Sequence, residues 1–179
     1  PYCTARCGYC DFNTYTAAAA ERAGFAALAA AEIALAAQTL AGPLDTVFFG
    51  GGTPTLLAPA ELGAILEAAR REIGLAPGAE VTVEANPETV DERTLGELRA
   101  AGFTRLSLGM QSAAPHVLAT LERRHTPGRA VAAARAARRA GFEHVSLDLI
   151  CGTPGESDAD WRASLEAALS AEPDHVSAY

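Results

Sequence analysis

The chain has 179 residues, 49% of them hydrophobic, and a formal net charge of −8 at pH 7. That much apolar material supports one sizeable core and excludes a disordered chain, while the acidic balance excludes a general nucleic-acid surface. No stretch approaches the roughly 18–20 uninterrupted apolar residues that a membrane span needs.

In chain order, the first feature is Cys3, Cys7 and Cys10, spaced C-x-x-x-C-x-x-C. Three thiolates on one short loop can hold three irons of a cubane [4Fe–4S] cluster and leave the fourth iron open to a small molecule. Two readings compete. Zinc wants four ligands, typically in pairs, and no histidine or further cysteine lies near this loop; a disulfide framework wants an even count in a short secreted chain. No signal pattern precedes the cysteines, and so few of them fit a reducing, cytoplasmic setting.

The alanine-rich run that follows is interrupted by Glu21, Arg22 and Glu32 and predicts a helix over about 17–41. Gly42-Pro43 then leads to a strand at 46–49. A second helix starts at Pro59, proline being favoured in the first helical turn, and runs to about 73. A strand follows at 80–84. Thr89-x-x-Glu92 reads as a capping box for a helix over 91–101. Further on come a strand at 104–108, a helix over about 127–140 and a strand at 144–149. Ser157-x-x-Asp160 opens the last helix, and 174–178 is a fifth strand. Within this series Ala101-Gly102-Phe103 with Ser107-Leu108 recurs as Ala140-Gly141-Phe142 with Ser146-Leu147, an offset of 39 residues. A helix closed by a left-handed glycine and followed at once by a strand is one βα unit, and repeated units build a parallel sheet or barrel. A complete (β/α)8 barrel runs to about 250 residues. The expected fold is therefore an α/β partial barrel, parallel strands with outer helices, lacking its first strand. It forms one domain over 1–179 that belongs to a longer polypeptide.

Polar residues and glycines gather just after each predicted strand, the face on which barrel enzymes build their sites. After the first stands Gly50-Gly51-Gly52-Thr53-Pro54, where absent side chains let backbone approach a ligand. Glu84 and Asp148 sit in or beside apolar strands, where an ionised carboxylate is costly unless hydrogen-bonded. Ribose hydroxyls and an amino group would suit them; a structural salt bridge to a neighbouring arginine is the plain alternative. Gln111 supplies a donor and an acceptor, or is a solvent-facing loop residue. Arg123 lies in a charged run that reads as surface, and His125 beside it is expected to have no role. Arg135, Arg138 and Arg139 read as a solvated helix face. All fourteen basic residues are arginine, to which no function is attached.

Cys3-Thr4-Ala5-Arg6-Cys7-Gly8-Tyr9-Cys10-Asp11-Phe12-Asn13, Phe49-Gly50-Gly51-Gly52-Thr53-Pro54-Thr55, Val83-Glu84-Ala85-Asn86-Pro87, Leu108-Gly109-Met110-Gln111-Ser112 and Asp148-Leu149-Ile150 with Gly152-Thr153-Pro154-Gly155 occur in order along the chain. Together they resemble the oxygen-independent coproporphyrinogen III oxidase-like group of radical S-adenosylmethionine (SAM) proteins, and within it the haem chaperone branch. The resemblance implies that Cys3, Cys7 and Cys10 ligate a [4Fe–4S] cluster. It also implies that Tyr9, Gly51, Gly52, Thr53, Glu84, Gln111, Arg123 and Asp148 contact SAM.

The branches of this group differ in chemistry. The oxidase uses a reduced cluster, and hence an electron donor, to cleave SAM and start decarboxylation of porphyrinogen propionates. The chaperone binds haem and passes it to acceptor proteins. A true oxidase carries a further cysteine two residues beyond the third ligand, where this chain has Phe12, and that favours the chaperone. The chaperone's haem-ligand motif would lie beyond Tyr179, and nothing singles out His116, His125, His144 or His175 as a haem ligand. A radical SAM methyltransferase is a lesser alternative. Cys151 stands where the group usually has an aromatic residue; a small core substitution explains it more simply than a fourth cluster ligand.

Overall fold

A computed structural model describes residues 1–123 and 126–179; His125 lies outside the described residues. Five parallel strands form one sheet in sequential order: β3 (Leu44–Phe49), β4 (Leu75–Ala85), β5 (Arg105–Gln111), β6 (His144–Leu149) and β7 (His175–Ala178). Helices α3 (Pro59–Glu72), α4 (Glu92–Ala101), α6 (Arg129–Arg139) and α7 (Asp158–Leu169) connect them. A separate two-residue parallel ladder, β1 (Tyr2–Cys3) with β2 (Tyr15–Thr16), carries the cysteine loop. Among the described residues no strand pairs with the outer edge of β3.

The alternation along the strands sets the two faces of the sheet. Val81, Val83 and Ala85 of β4, Leu106, Leu108 and Met110 of β5, and Val145, Leu147 and Leu149 of β6 are all buried. They form one cluster with Leu62, Leu66, Leu95, Leu98 and the alanines of α6. Each fully buried aliphatic side chain there contributes about 1.5–3 kcal/mol. The intervening positions are polar: Glu80, Thr82 and Glu84, then Arg105, Ser107, Gly109 and Gln111, then Ser146 and Asp148. They bond to one another across the concave side: Arg105 to Glu80 and to Ser146 Oγ (2.6 Å), and Ser107 Oγ to Asp148 Oδ2 (3.1 Å).

The 39-residue repeat is the strand register itself. Arg105 lies opposite His144, Leu106 opposite Val145 and Gly109 opposite Asp148, each pair 39 apart in sequence. Gly102 and Gly141 both close their turns at positive φ (105° and 89°), placing Phe103 and Phe142 in the core.

Several expectations need correction. The helix expected over 17–41 is two helices, α1 (Ala19–Arg22) and α2 (Phe25–Ala36), because Gly24 adopts a left-handed φ of 87°. The capping box at Thr89 is not used. Asp91 caps α4 by accepting from Thr94 N (2.7 Å), and Thr89 instead shares a hydrogen bond with Thr55. A short helix, α5 (Pro115–Thr120), follows β5 and was not expected. Cys151 is exposed rather than in the core, since it lies in the loop beyond β6 with its Sγ against the Tyr179 carbonyl (3.3 Å). Arg138 and Arg139 do form a solvated face, in ion pairs with Asp174 and Glu92.

Candidate functional site

The cysteine loop is anchored at both ends. At its start, Thr53 N donates to the Tyr2 carbonyl (2.7 Å), which presses the loop after β3 against β1. Gly52 is required there: a Cβ would lie 2.5 Å from the Tyr2 carbonyl oxygen, closer than any side chain permits. At its far end Gly8 N donates to the Leu121 carbonyl (3.2 Å), and Cys10 N closes a turn onto Cys7 O (3.1 Å). All four cysteines, Cys151 included, are free thiols.

The loop covers an open cavity of about 420 Å³ at the C-terminal ends of β3–β6, a volume typical of small-molecule sites. Cys3, Cys7, Cys10, Tyr9, Gly51, Gly52, Thr53, Glu84, Gln111, Arg123 and Asp148 all line it, so every candidate residue from the sequence meets at one place. Three of the strands contribute by parity, since odd positions of β5 and even positions of β4 and β6 face the concave side, whereas β3 contributes through the loop that follows it, Gly51–Thr53.

Donors point at sulfur: Thr53 Oγ1 lies 3.7 Å from Cys3 Sγ, Arg123 Nη1 lies 3.8 Å from Cys7 Sγ, and the Tyr9 hydroxyl also bonds Cys7. Arg123 Nη2 donates to the Gly109 carbonyl (3.0 Å), and its Nε is buried without a partner among the described residues. Arg123 is thus a half-buried wall of the cavity and not the surface charge its sequence context suggested. Gln111 is likewise 8% exposed, not a solvent-facing loop residue, and sits at φ 66° where a bulge breaks the β5–β6 ladder.

Among the described residues neither Glu84 nor Asp148 pairs with an arginine. Glu84 Oε2 accepts from Gly51 N (3.0 Å) and Asp148 from Ser107. Burial pushes the Glu84 carboxyl above the ordinary glutamate range; the Gly51 N–H partly opposes this and the Asp148 charge adds to it. Burial also drives the Tyr9 phenol well above its usual range against the pull of Arg123, with Cys7 and Cys10 raising it further.

The sequence missed Ser107, which fixes Asp148; its signal was a serine at the same parity as Gly109 and Gln111 in β5. It also missed Arg6, Ile150 and Tyr179 on the cavity wall. His116, His144 and His175 are exposed and outside it; His116 meets Asp160 at 3.3 Å.

A family model described as the radical SAM superfamily matches residues 1–168. The chain belongs to the radical SAM superfamily. That family implies a [4Fe–4S] cluster and SAM as cofactors. Among curated proteins, the haem chaperone HemW of Mycobacterium tuberculosis (strain H37Rv) is 54% identical over 183 residues, covering 100% of this chain and 47% of that protein. The haem chaperone HemW of Synechocystis is 38% identical over 190 residues, covering 100% of this chain and 45% of that one. The chain therefore spans about half the length of the curated relatives it matches. Among solved structures, coproporphyrinogen III oxidase (HemN) from Escherichia coli, a radical SAM enzyme, superposes with a TM-score of 0.88 at 28% identity, covering 100% of this chain and 42% of that one. The five-stranded sheet is accordingly part of a radical SAM barrel.

The residues fit the implied cofactors. Among the described residues no three Cys, His, Asp or Glu side chains converge on one metal ion, but a cubane asks less, offering each thiolate an iron of its own. Thr53 Oγ1 and Arg123 Nη1 already stand against the Cys3 and Cys7 sulfurs, the outer hydrogen bonds that accompany cluster-ligating cysteines. The strand carboxylates Glu84 and Asp148 and the orphaned Nε of Arg123 line the same space, the complement of a ligand carrying hydroxyls, an ammonium and a carboxylate. No described helix is long and apolar enough to cross a membrane.

Proposed function

We propose that the full-length protein is a cytoplasmic haem chaperone built on a radical SAM core, delivering haem to acceptor proteins. The observation that carries this reading is the 54% identity to a haem chaperone over the whole chain, with Phe12, not cysteine, two residues beyond the third ligand. Cys3, Cys7 and Cys10 would hold the cluster. Glu84 and Asp148 would take the ribose hydroxyls and ammonium of SAM, and Arg123 its carboxylate. Thr53, Gly51 and Gly52 would bring backbone close to it, with Tyr9 and Gln111 at its edges. When bound and reduced by an electron donor, the cluster would supply the electron that cleaves SAM.

Within this assignment the protein's own residues do defined work. Gly51 N–H holds the Glu84 carboxylate in place, Ser107 holds Asp148, and Tyr9 stays a neutral phenol at all physiological pH values. The four free thiols support a reducing compartment. A domain over 1–179 followed by a haem-binding region is the organisation this reading requires.

A second reading, coproporphyrinogen III oxidase, is supported by the 0.88 superposition on that enzyme. One assay separates them. The full-length protein is reconstituted without oxygen and given SAM, a reductant and coproporphyrinogen III. No conversion with an intact cluster, followed by stoichiometric haem binding, is the expected result. Catalytic formation of protoporphyrinogen would make the protein an oxidase.

A further inference from the structure

Arg123 stands 116 positions after Cys7 in sequence, yet its guanidinium spans from Cys7 Sγ (Nη1, 3.8 Å) to the Gly109 carbonyl (Nη2, 3.0 Å). The second contact fixes the direction of the first, because a planar fork held at one nitrogen presents the other at a set angle. Gly109 leaves just enough room: a Cβ there would lie 2.9 Å from Nη2 and 2.7 Å from Gln111 Nε2. The three thiols are therefore unequal. Cys7 receives a charged donor beside the neutral Tyr9 hydroxyl, Cys3 only the neutral hydroxyl of Thr53 (3.7 Å), and Cys10 no side-chain donor among the described residues.

We infer that Arg123 is a positioning residue that sets the reduction potential of the cluster by holding a positive charge and an N–H donor on the Cys7 sulfur. The inference rests on the proposed assignment of Cys3, Cys7 and Cys10 as cluster ligands. Its physical basis is general. Adding an electron makes a cluster more negative, and a cation hydrogen-bonded to a ligating thiolate stabilises that form more than the oxidised one. Charge-assisted hydrogen bonds are roughly twice as strong as neutral ones, so Arg123 should outweigh Thr53. This role is separate from any contact with SAM and is present when SAM is not.

The test uses full-length protein reconstituted anaerobically without SAM, with iron content assayed and the cluster midpoint read by EPR-monitored titration. Arg123→Gln should move the midpoint to a more negative potential at unchanged iron content. Arg123→Lys, which keeps the charge and loses the fork, should fall between Gln and the unaltered protein. Gly109→Ala, which displaces the guanidinium without removing it, should shift the midpoint the same way, and Thr53→Val should shift it less than Arg123→Gln. An iron-replete Arg123→Gln protein whose midpoint matches the unaltered one would overturn the inference. If that variant cannot retain iron, Arg123→Lys decides, and a midpoint equal to the unaltered protein's overturns it. Failure of the ligand assignment looks different: the unaltered protein itself would take up no cluster.

Discussion

Two cavities of similar size meet at the loop after β3, where Gly52 and Thr53 line both, and only one is built for chemistry. The first, about 370 Å³, is walled by Phe25 and Ile33 of α2, Val47 and Phe49 of β3 and Leu62 and Ile65 of α3. The second, about 420 Å³, is walled by three thiols, four carboxylates (Asp11, Glu84, Glu122 and Asp148), the arginines Arg6 and Arg123, and Gln111. Volume does not separate them. The apolar cavity offers a ligand area but no direction, whereas the polar one has convergent groups that fix orientation, which is what marks a binding site. The difference traces to which elements reach each cavity: β3, α2 and α3 supply the apolar one, whereas the cysteine loop and the concave-side positions of β4–β6 supply the polar one.

Substitutions on the two sides should therefore fail in different currencies. Cys7→Ser should abolish the cluster, read as loss of iron and of the cluster's visible absorption after reconstitution, while far-ultraviolet circular dichroism stays unchanged. Retention of the cluster would remove Cys7 from the ligand set. Leu62→Ala, on the apolar side and 1% exposed, should do the reverse. It should cost about 2–5 kcal/mol of stability, seen as a lowered urea midpoint, with iron per folded molecule unchanged.

The contrast between these two cavities shows what the sequence could reveal. Parity, the 39-residue offset and the glycine-closed turns are local patterns, so the sheet order and the placement of Glu84, Gln111 and Asp148 could be read directly. The cysteine spacing is also local. What escaped reading was set by distant contacts. The partner of Arg123 is 116 residues away in sequence, so its run of charged neighbours suggested a surface. The cap of α4 was misplaced because two candidates, Thr89 and Asp91, lie two residues apart, and Thr55 claims the first. The alanine-rich run hid a break at Gly24, since alanine carries no periodic signal to interrupt. Cys151 was misjudged from residue type alone, when its position two residues beyond a buried strand decided its exposure.

Electrostatics sharpen the comparison further. The folded state holds the Glu84 proton more tightly than the unfolded chain, through burial first and the Asp148 charge after it. Its contribution is thus fully present below the usual glutamate value of about 4.3 and is lost as pH rises through the raised folded value. In SAM-free protein Glu84→Gln should flatten the fall in stability over that window, measured by urea unfolding at a series of pH values. An unchanged slope would mean that the carboxyl is not perturbed. The smallest effect is expected at Cys151, outside the polar cavity: Cys151→Ser should leave iron content unchanged, and loss of about a quarter of the iron, one of the cubane's four, would make it a ligand.

The central claim is that the cysteine loop and the strand ends form one site for a [4Fe–4S] cluster and SAM together. The most direct measurement is the EPR spectrum of the reduced, reconstituted full-length protein with and without SAM. A SAM-dependent change in the spectrum, lost in Asp148→Ala with the cluster intact, is the predicted result. A spectrum indifferent to SAM at saturating concentration would contradict it.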